Sequence, residues 1–272
     1  MSPHLFSFLV AVPQELSNSL MNKDRLYRTD ALILRRSDFG EADRLLTVLT
    51  PDRGKLRLLA KGARKTTSRK AGHVELFMLT DLLVAHGRTW DIVSQAEIIE
   101  PYRALREDLD QTGHAYYLAE LIDRFTEEHD ANKSLFELLA LTLARLAYPE
   151  SIFIALRYFE LHLLSLTGFQ PQLYFCLTCN EALEPVENYF HFADGGTLCP
   201  QHGQTRPHAE PLPLSVLKVL RYIQTEPWEK VAKLQLTAQT KQHVEKLLLG
   251  YITFILERQL KSVDFLRKLR RL

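Results

Sequence analysis

Four side chains stand out first for the chemistry their spacing allows. Cys176-Leu177-Thr178-Cys179 is followed, after 19 residues, by Cys199-Pro200-Gln201-His202. Two such x₂ knuckles with a spacer of about 15 to 20 residues suit a tetrahedral zinc site, because each knuckle bends two ligands onto one metal while the spacer forms a hairpin. All 3 cysteines of the chain are used. Gly195-Gly196 supplies the turn, and Tyr189, Phe190 and Phe192 can cover one side. Four protein ligands close the coordination sphere, so the expected Zn²⁺ is one structural site whose binding helps a small segment to fold. The fourth ligand is the open assignment: His191 and His208 are alternatives to His202, although neither keeps the x₂ spacing.

A second constellation is electrostatic. Arg53, Lys55, Arg57, Lys61, Arg64, Lys65, Arg69 and Lys70 lie between Asp52 and Glu75 with no carboxylate among them. A solubilising surface mixes signs, whereas an unbroken run of cations attracts phosphates. Thr66, Thr67 and Ser68 add neutral phosphate donors, and Arg35 adds a cation on a preceding strand. Nothing offers base-edge readout in a recognisable motif, so the expected binding is sequence-independent and salt-dependent. Tyr27, Phe39, Phe77 and Trp90 are available for base stacking, against the common alternative that aromatics fill the core. The tail 258–272, with six cations against Asp264, is either a second contact or a helix end that favours positive charge.

No enzymatic motif emerges. Gly62-Ala63-Arg64-Lys65-Thr66 lacks the leading glycine and the lysine spacing of a phosphate loop, and neither a nucleophile elbow nor a dinucleotide turn is present. His73-Val74-Glu75 with Cys176-x₂-Cys179 mimics a zinc deaminase, but Phe175 stands where that motif has proline. The expectation is a binding protein and not an enzyme.

Short runs at 31–36, 45–50, 56–60, 74–84 and 90–96, punctuated by turn residues, read as five strands of a small barrel of the OB-fold type. On the third, the period of two puts Lys55, Arg57 and Lys61 on one face and Leu56, Leu58 and Ala60 on the other. After Pro101 the apolar spacing becomes helical, at 105–129, 133–148, 150–167, 214–225 and 238–260. The expected architecture is α+β and multidomain: an N-terminal OB-fold β-barrel at 26–102 and an all-α helical domain at 103–168 and 214–272, with a zinc-binding module inserted at 169–213. Residues 1–25 are expected to be a leader of uncertain start, with Met21 an alternative initiator.

The net charge of +1 hides a segregation: +3 over residues 1–100, −5 over 101–170 and +3 over 171–272. No window approaches the roughly 18 apolar residues of a membrane span. So few clustered cysteines argue against a secreted disulfide framework and for a reducing cytoplasm, nucleoid-associated if the partner is DNA.

Four segments, Tyr27-Arg28-Thr29-Asp30-Ala31-Leu32-Ile33-Leu34, Gly40-Glu41-Ala42-Asp43-Arg44-Leu45-Leu46-Thr47, Ala60-Lys61-Gly62-Ala63-Arg64-Lys65 and Leu166-Thr167-Gly168-Phe169-Gln170-Pro171-Gln172-Leu173, follow one another along the chain. In these segments and their order the chain resembles the RecO family of bacterial DNA repair and recombination mediators. The resemblance implies binding of single- and double-stranded DNA and annealing of complementary strands. It also implies work with RecR, often with RecF, to load RecA onto strands coated by single-stranded DNA-binding protein. His202 departs from the family's common four-cysteine pattern. Neutralising phosphates on two strands at once lowers their repulsion, which is what annealing requires. The acidic helices of 101–170 would then dock proteins. Two other classes compete: a zinc-stapled adaptor whose basic loop takes an acidic protein segment, and a nucleotide-processing enzyme with an open zinc position.

Overall fold

The computed structural model describes residues 25–269, so the expected leader and the end of the basic tail lie outside the described residues. The first five strands are β1 (Leu26–Phe39), β2 (Asp43–Thr50), β3 (Gly54–Ala60), β4 (Leu79–Ala85) and β5 (Asp91–Glu100). They close into a barrel in the order β1-β2-β3-β5-β4, with β1 antiparallel to both β2 and β4, and β3 parallel to β5. Ala31, Ile33, Leu46, Val48, Leu56, Leu58, Leu82 and Val84 fill its interior. The intervening Leu32, Leu34 and Leu49 belong instead to the large core shared with the helices. The continuous apolar run of β1 is thus explained: a strand buried on both faces has no polar side to alternate with.

The fourth strand begins later than its apolar pattern predicts. Val74 is fully buried, but residues 71–73 form a short 3₁₀ turn and Phe77 adopts a left-handed φ of 63°. Its N–H bonds to the Ile33 carbonyl at 2.9 Å, so this stretch folds against β1 before β4 starts.

The C-terminal part is helical, with α1 (Ala104–Glu107), α2 (Leu109–Phe125), α3 (Lys133–Arg145) and α4 (Ile152–Leu166). The predicted helix 105–129 is broken at Asp108, an extended residue (φ −120°) whose carboxylate caps α2 by accepting the Gln111 N–H at 2.9 Å. Gly168, at φ +84°, ends α4 as the sequence suggests, and the Phe169 N–H reaches back to the Leu164 carbonyl at 2.7 Å. Next come β6 (Asn188–His191), β7 (Gly196–Leu198), α5 (Pro200–Gly203) and β8 (Glu210–Leu212), whose strands form a sheet in the order β7-β6-β8. The chain closes with α6 (Leu214–Thr225), α7 (Trp228–Val231), α8 (Ala238–Leu256) and α9 (Lys261–Leu269).

Two of these features were not in the sequence pattern. The helix expected to run to 260 stops at Leu256, where Glu257 turns left-handed, and α9 follows. The Glu120 carboxylate on α2 accepts the N–H groups of Lys261 and Ser262 at 3.2 and 2.8 Å, a cap supplied from far along the chain. The cysteine-bearing segment is also less separate than expected. Leu173, Leu183, Phe190, Leu198 and Leu212 join the main helical core, and the Tyr251 hydroxyl of α8 bonds to the Phe169 carbonyl at 3.1 Å.

Barrel and helices meet at the start of β3. Lys55 shares the outer face of β3 with Arg57, as the period of two predicts, but it is 8% exposed and not part of a basic surface. Its ammonium donates to the carbonyls of Asp123 and Thr126 at 2.6 and 2.7 Å and pairs with the Asp123 carboxylate at 3.1 Å. A cation at the carbonyl end of α2 also meets the negative pole of that helix. Gly54 is pressed against the same loop, where an added Cβ would lie 2.1 Å from the Asp130 carbonyl oxygen. Lys55→Met should therefore lower unfolding stability by about 2 kcal/mol, since buried acceptors lose a charged donor. Urea denaturation with DNA titration checks this: the urea midpoint falls while any DNA affinity holds, and the reverse pattern would return Lys55 to the DNA-binding run expected from the sequence.

Candidate nucleic-acid interface and metal centre

The structure brings Cys176, Cys179, Cys199 and His202 together, with one ligand atom from each within 4.8 Å of all the others. His202 Nδ1 lies 3.1 Å from Cys199 Sγ and 3.6 Å from Cys176 Sγ. α5 sets this geometry: it starts directly after Cys199, with Pro200 in its first turn, and carries His202 three residues on. Burial raises the pKa of Cys176, but N–H groups of Cys179, Cys199 and Thr178 outweigh it and bring the thiol down to about 6. Three sulfurs and one imidazole nitrogen, with a thiol that readily becomes thiolate, can hold one metal ion. The alternative histidines are elsewhere. His191 lies 2.8 Å from the Asp194 carboxylate, which also binds Arg206, and His208 is exposed and outside the cluster.

The nine nominated cations divide by environment. Arg35, Lys61, Lys65 and Arg69 are exposed. Register aligns Arg35 with Thr47 and Thr47 with Arg57, so these residues share one outer face across β1, β2 and β3. Arg57 is exposed at the border of that face and pairs with Glu128 at 2.6 Å. Arg53 lies 4.0 Å over the Tyr27 ring. Arg64 holds the β1–β2 turn, donating to the Gly40 and Glu41 carbonyls at 3.2 Å and pairing with Asp38 at 3.3 Å. Lys70 folds back onto the Val93 carbonyl at 2.8 Å, and burial lowers its pKa. Lys55 is withdrawn at the junction described above. Glu75, which ends the acid-free run, takes neither end of it: it binds Arg36 and, at 3.0 Å, Arg44.

Known proteins resemble most of the chain. The profile described as "Recombination protein O N terminal" matches residues 21–102, and that described as "Recombination protein O C terminal" matches 106–264. The chain belongs to the RecO family. A DNA repair protein RecO of Roseiflexus sp. strain RS-1 is 45% identical over 250 residues, covering 92% of this chain and 88% of its own. One from Desulforudis audaxviator is 40% identical over 243 residues, covering 89% and 97%. The N-terminal strand-rich domain and C-terminal helical domain fit this RecO chain, since the two profiles divide where the last barrel strand gives way to helices.

The helical domain of this RecO protein also holds a buried polar group that the sequence pattern did not reveal. Tyr117 donates to Glu160 at 2.8 Å and Arg157 pairs with the same carboxylate at 2.5 Å, all three buried. Burial pushes the Glu160 carboxyl up to about 7, although the Arg157 charge and the Tyr117 hydroxyl act in the other direction. Arg157 and Tyr117 line a cavity of about 830 Å³ together with Leu156, Val216, Leu247 and Leu266. The available signal was Arg157-x₂-Glu160, an ion pair at helical spacing inside an otherwise apolar helix. No membrane-spanning helix is found among the described residues.

Proposed function

We propose that this RecO protein is a DNA repair and recombination mediator that binds single- and double-stranded DNA and anneals complementary strands. It would do so by charge neutralisation and not by a chemical step. The observation that carries the reading is the outer face of the barrel. Arg35, Arg57 and Lys61, with Lys65 and Arg69 on the following loop, present exposed cations around Thr47 and the half-buried Leu45 and Ile92. A closed five-strand barrel with β1 paired to both β2 and β4 supports an OB-fold, whose β2–β3 face takes oligonucleotides in other proteins. Two strands held on such a face repel each other less, and their effective concentration rises.

RecR, single-stranded DNA-binding protein and, as a further partner, RecF belong to the same reading, with RecA loading as the outcome. The acidic segment 101–170 and the cavity beside Arg157 support protein docking on the helical domain. Partner and DNA would then occupy different parts of the molecule, in a cytoplasmic, nucleoid-associated protein. The metal is proposed to be one structural Zn²⁺ held by Cys176, Cys179, Cys199 and His202, since these four ligands leave no open position for chemistry.

Two measurements test this. Replacing Lys61, Lys65 and Arg69 together by alanine should slow strand annealing and weaken single-strand affinity by about tenfold. It should also flatten the slope of log affinity against log salt by about 2, at roughly 0.7 for each phosphate that is no longer neutralised. Undiminished annealing would remove the assignment. Arg64 and Lys55 are left intact because their contacts are structural. For the metal, elemental analysis should find one zinc per chain, and Cys199→Ser should lose both zinc and thermal stability. A folded, zinc-loaded variant impaired only in turnover of a nucleotide substrate would favour the enzymatic alternative.

A further inference from the structure

An aromatic pair, Phe39 exposed and Trp90 half-buried, sits at the end of the barrel that carries the basic loop. Phe39, the last residue of β1, is 41% exposed, and its ring meets Trp90 edge-on at a centroid distance of 5.0 Å. Trp90 directly precedes β5, so the two rings come from different turns and converge at one place. The other aromatic candidates are engaged: Phe77 is 2% exposed, and Tyr27 is buried beneath Arg53 with its hydroxyl on Asp91 at 2.9 Å.

The surroundings of the pair are polar and include three cations, Lys61, Arg64 and Lys65, with carboxylates on the turn and at Asp91. Arg64 binds the carbonyls of Gly40 and Glu41 and the carboxylate of Asp38, which places a guanidinium beside Phe39. The register Arg44↔Ala60 sets the exposed Lys61 next to the same turn, and the Gly62 N–H bonds to the Asp43 carboxylate at 2.7 Å. Lys65 is exposed on the loop that follows. Of the carboxylates on the turn, Asp38 is paired with Arg64 and Asp43 is bonded to Gly62, which leaves Glu41. Inward along the face, Ser37, Leu45, Leu59 and Ile92 lie side by side across four strands and continue the path toward Arg35 and Arg57.

An aromatic face flanked by cations matches the chemistry of an unpaired nucleotide. The base offers a π surface and the phosphate a charge, whereas in a duplex both faces of each internal base are already stacked. Resting on the DNA-binding reading above, we infer that Phe39 and Trp90 form a base-stacking subsite that makes the barrel prefer single-stranded to duplex DNA. The stacked base would lie at the turn, with its flanking phosphates on Lys61 and Lys65. Because every base has a π face, the preference is for strandedness and not for sequence. One anchored base leaves the Watson–Crick edges of its neighbours free to meet a complementary strand.

The test uses the full chain carrying Trp228→Phe, so that Trp90 is the remaining tryptophan of the 2. Its emission is followed while an unstructured oligothymidylate or a duplex of equal length is added. Single strands should quench Trp90 at saturation and duplex should not. Phe39→Ala should weaken single-strand binding by about tenfold with duplex affinity unchanged, and Phe39→Tyr should restore it. Phe39→Leu keeps an apolar side chain against Trp90 and guards against a folding artefact: it should melt with the parent and still lose the single-strand preference. Equal losses on both DNA forms, or saturation by single strands with Trp90 emission unmoved, would overturn the stacking subsite. If emission stays unmoved while the Lys61, Lys65 and Arg69 variant still loses affinity, the DNA-binding reading survives without it. Failure of the parent chain to bind either DNA at low salt removes both, and binding of an acidic peptide in their place would favour the adaptor alternative.

Discussion

The ammonium of Lys55 takes the carbonyls of Asp123 and Thr126 where α2 ends, and the rest of the molecule is arranged around that contact. A lysine this buried needs acceptors, and a helix end this buried needs donors; each answers the other. Around it, Gly54 lies against Asp130, the His129 N–H bonds to the Lys55 carbonyl at 3.0 Å, and Arg57 pairs with Glu128. The result is one fixed orientation of barrel on helices. The junction covers the Lys55 end of the outer barrel face and leaves Lys61 and the loop after β3 exposed.

That division explains how charges of one run serve different ends. Lys55, Arg64 and Lys70 bind backbone carbonyls and hold loops in place. Lys61, Lys65 and Arg69, joined by Arg35 from β1, keep their charge toward solvent, where it attracts polyanions. Glu75 draws Arg36 and Arg44 together and so leaves the exposed cations without that carboxylate. The metal cluster has a comparable structural logic: α5 and the knuckle at Cys176 converge on a segment whose apolar residues already belong to the helical core. An ion there would fix the conformation of the segment more than supply its only source of stability.

Much of this was legible in the sequence because it is encoded locally. The knuckle spacing identified Cys176, Cys179, Cys199 and His202, and the period of two placed Arg57 and Lys61 on a common outward face. Gly168 marked the end of α4 by the αL geometry that glycine allows. What was missed depends on residues far apart in the chain. The burial of Lys55 comes from a loop some seventy residues away, and the start of α9 is capped by Glu120. The pairing of Tyr117 with Glu160 is between two helices, each of which looks like ordinary amphipathic chain on its own. Exposure was the other unreadable quantity: Phe39 and Phe77 look alike in sequence, and only tertiary packing leaves the first open and buries the second.

On the proposed reading, DNA would lie on the outer barrel face between Arg35 and the loop after β3, away from the Lys55 junction. Hydrogen–deuterium exchange of the full chain with and without a single-stranded oligonucleotide tests it directly. The reading predicts slowed exchange at residues 35–47, 57–70 and 86–92, with residues 53–55 and 123–130 unchanged because they lie at the junction, away from the proposed face. Slowed exchange confined to the helical domain, with the barrel unaffected, would contradict it.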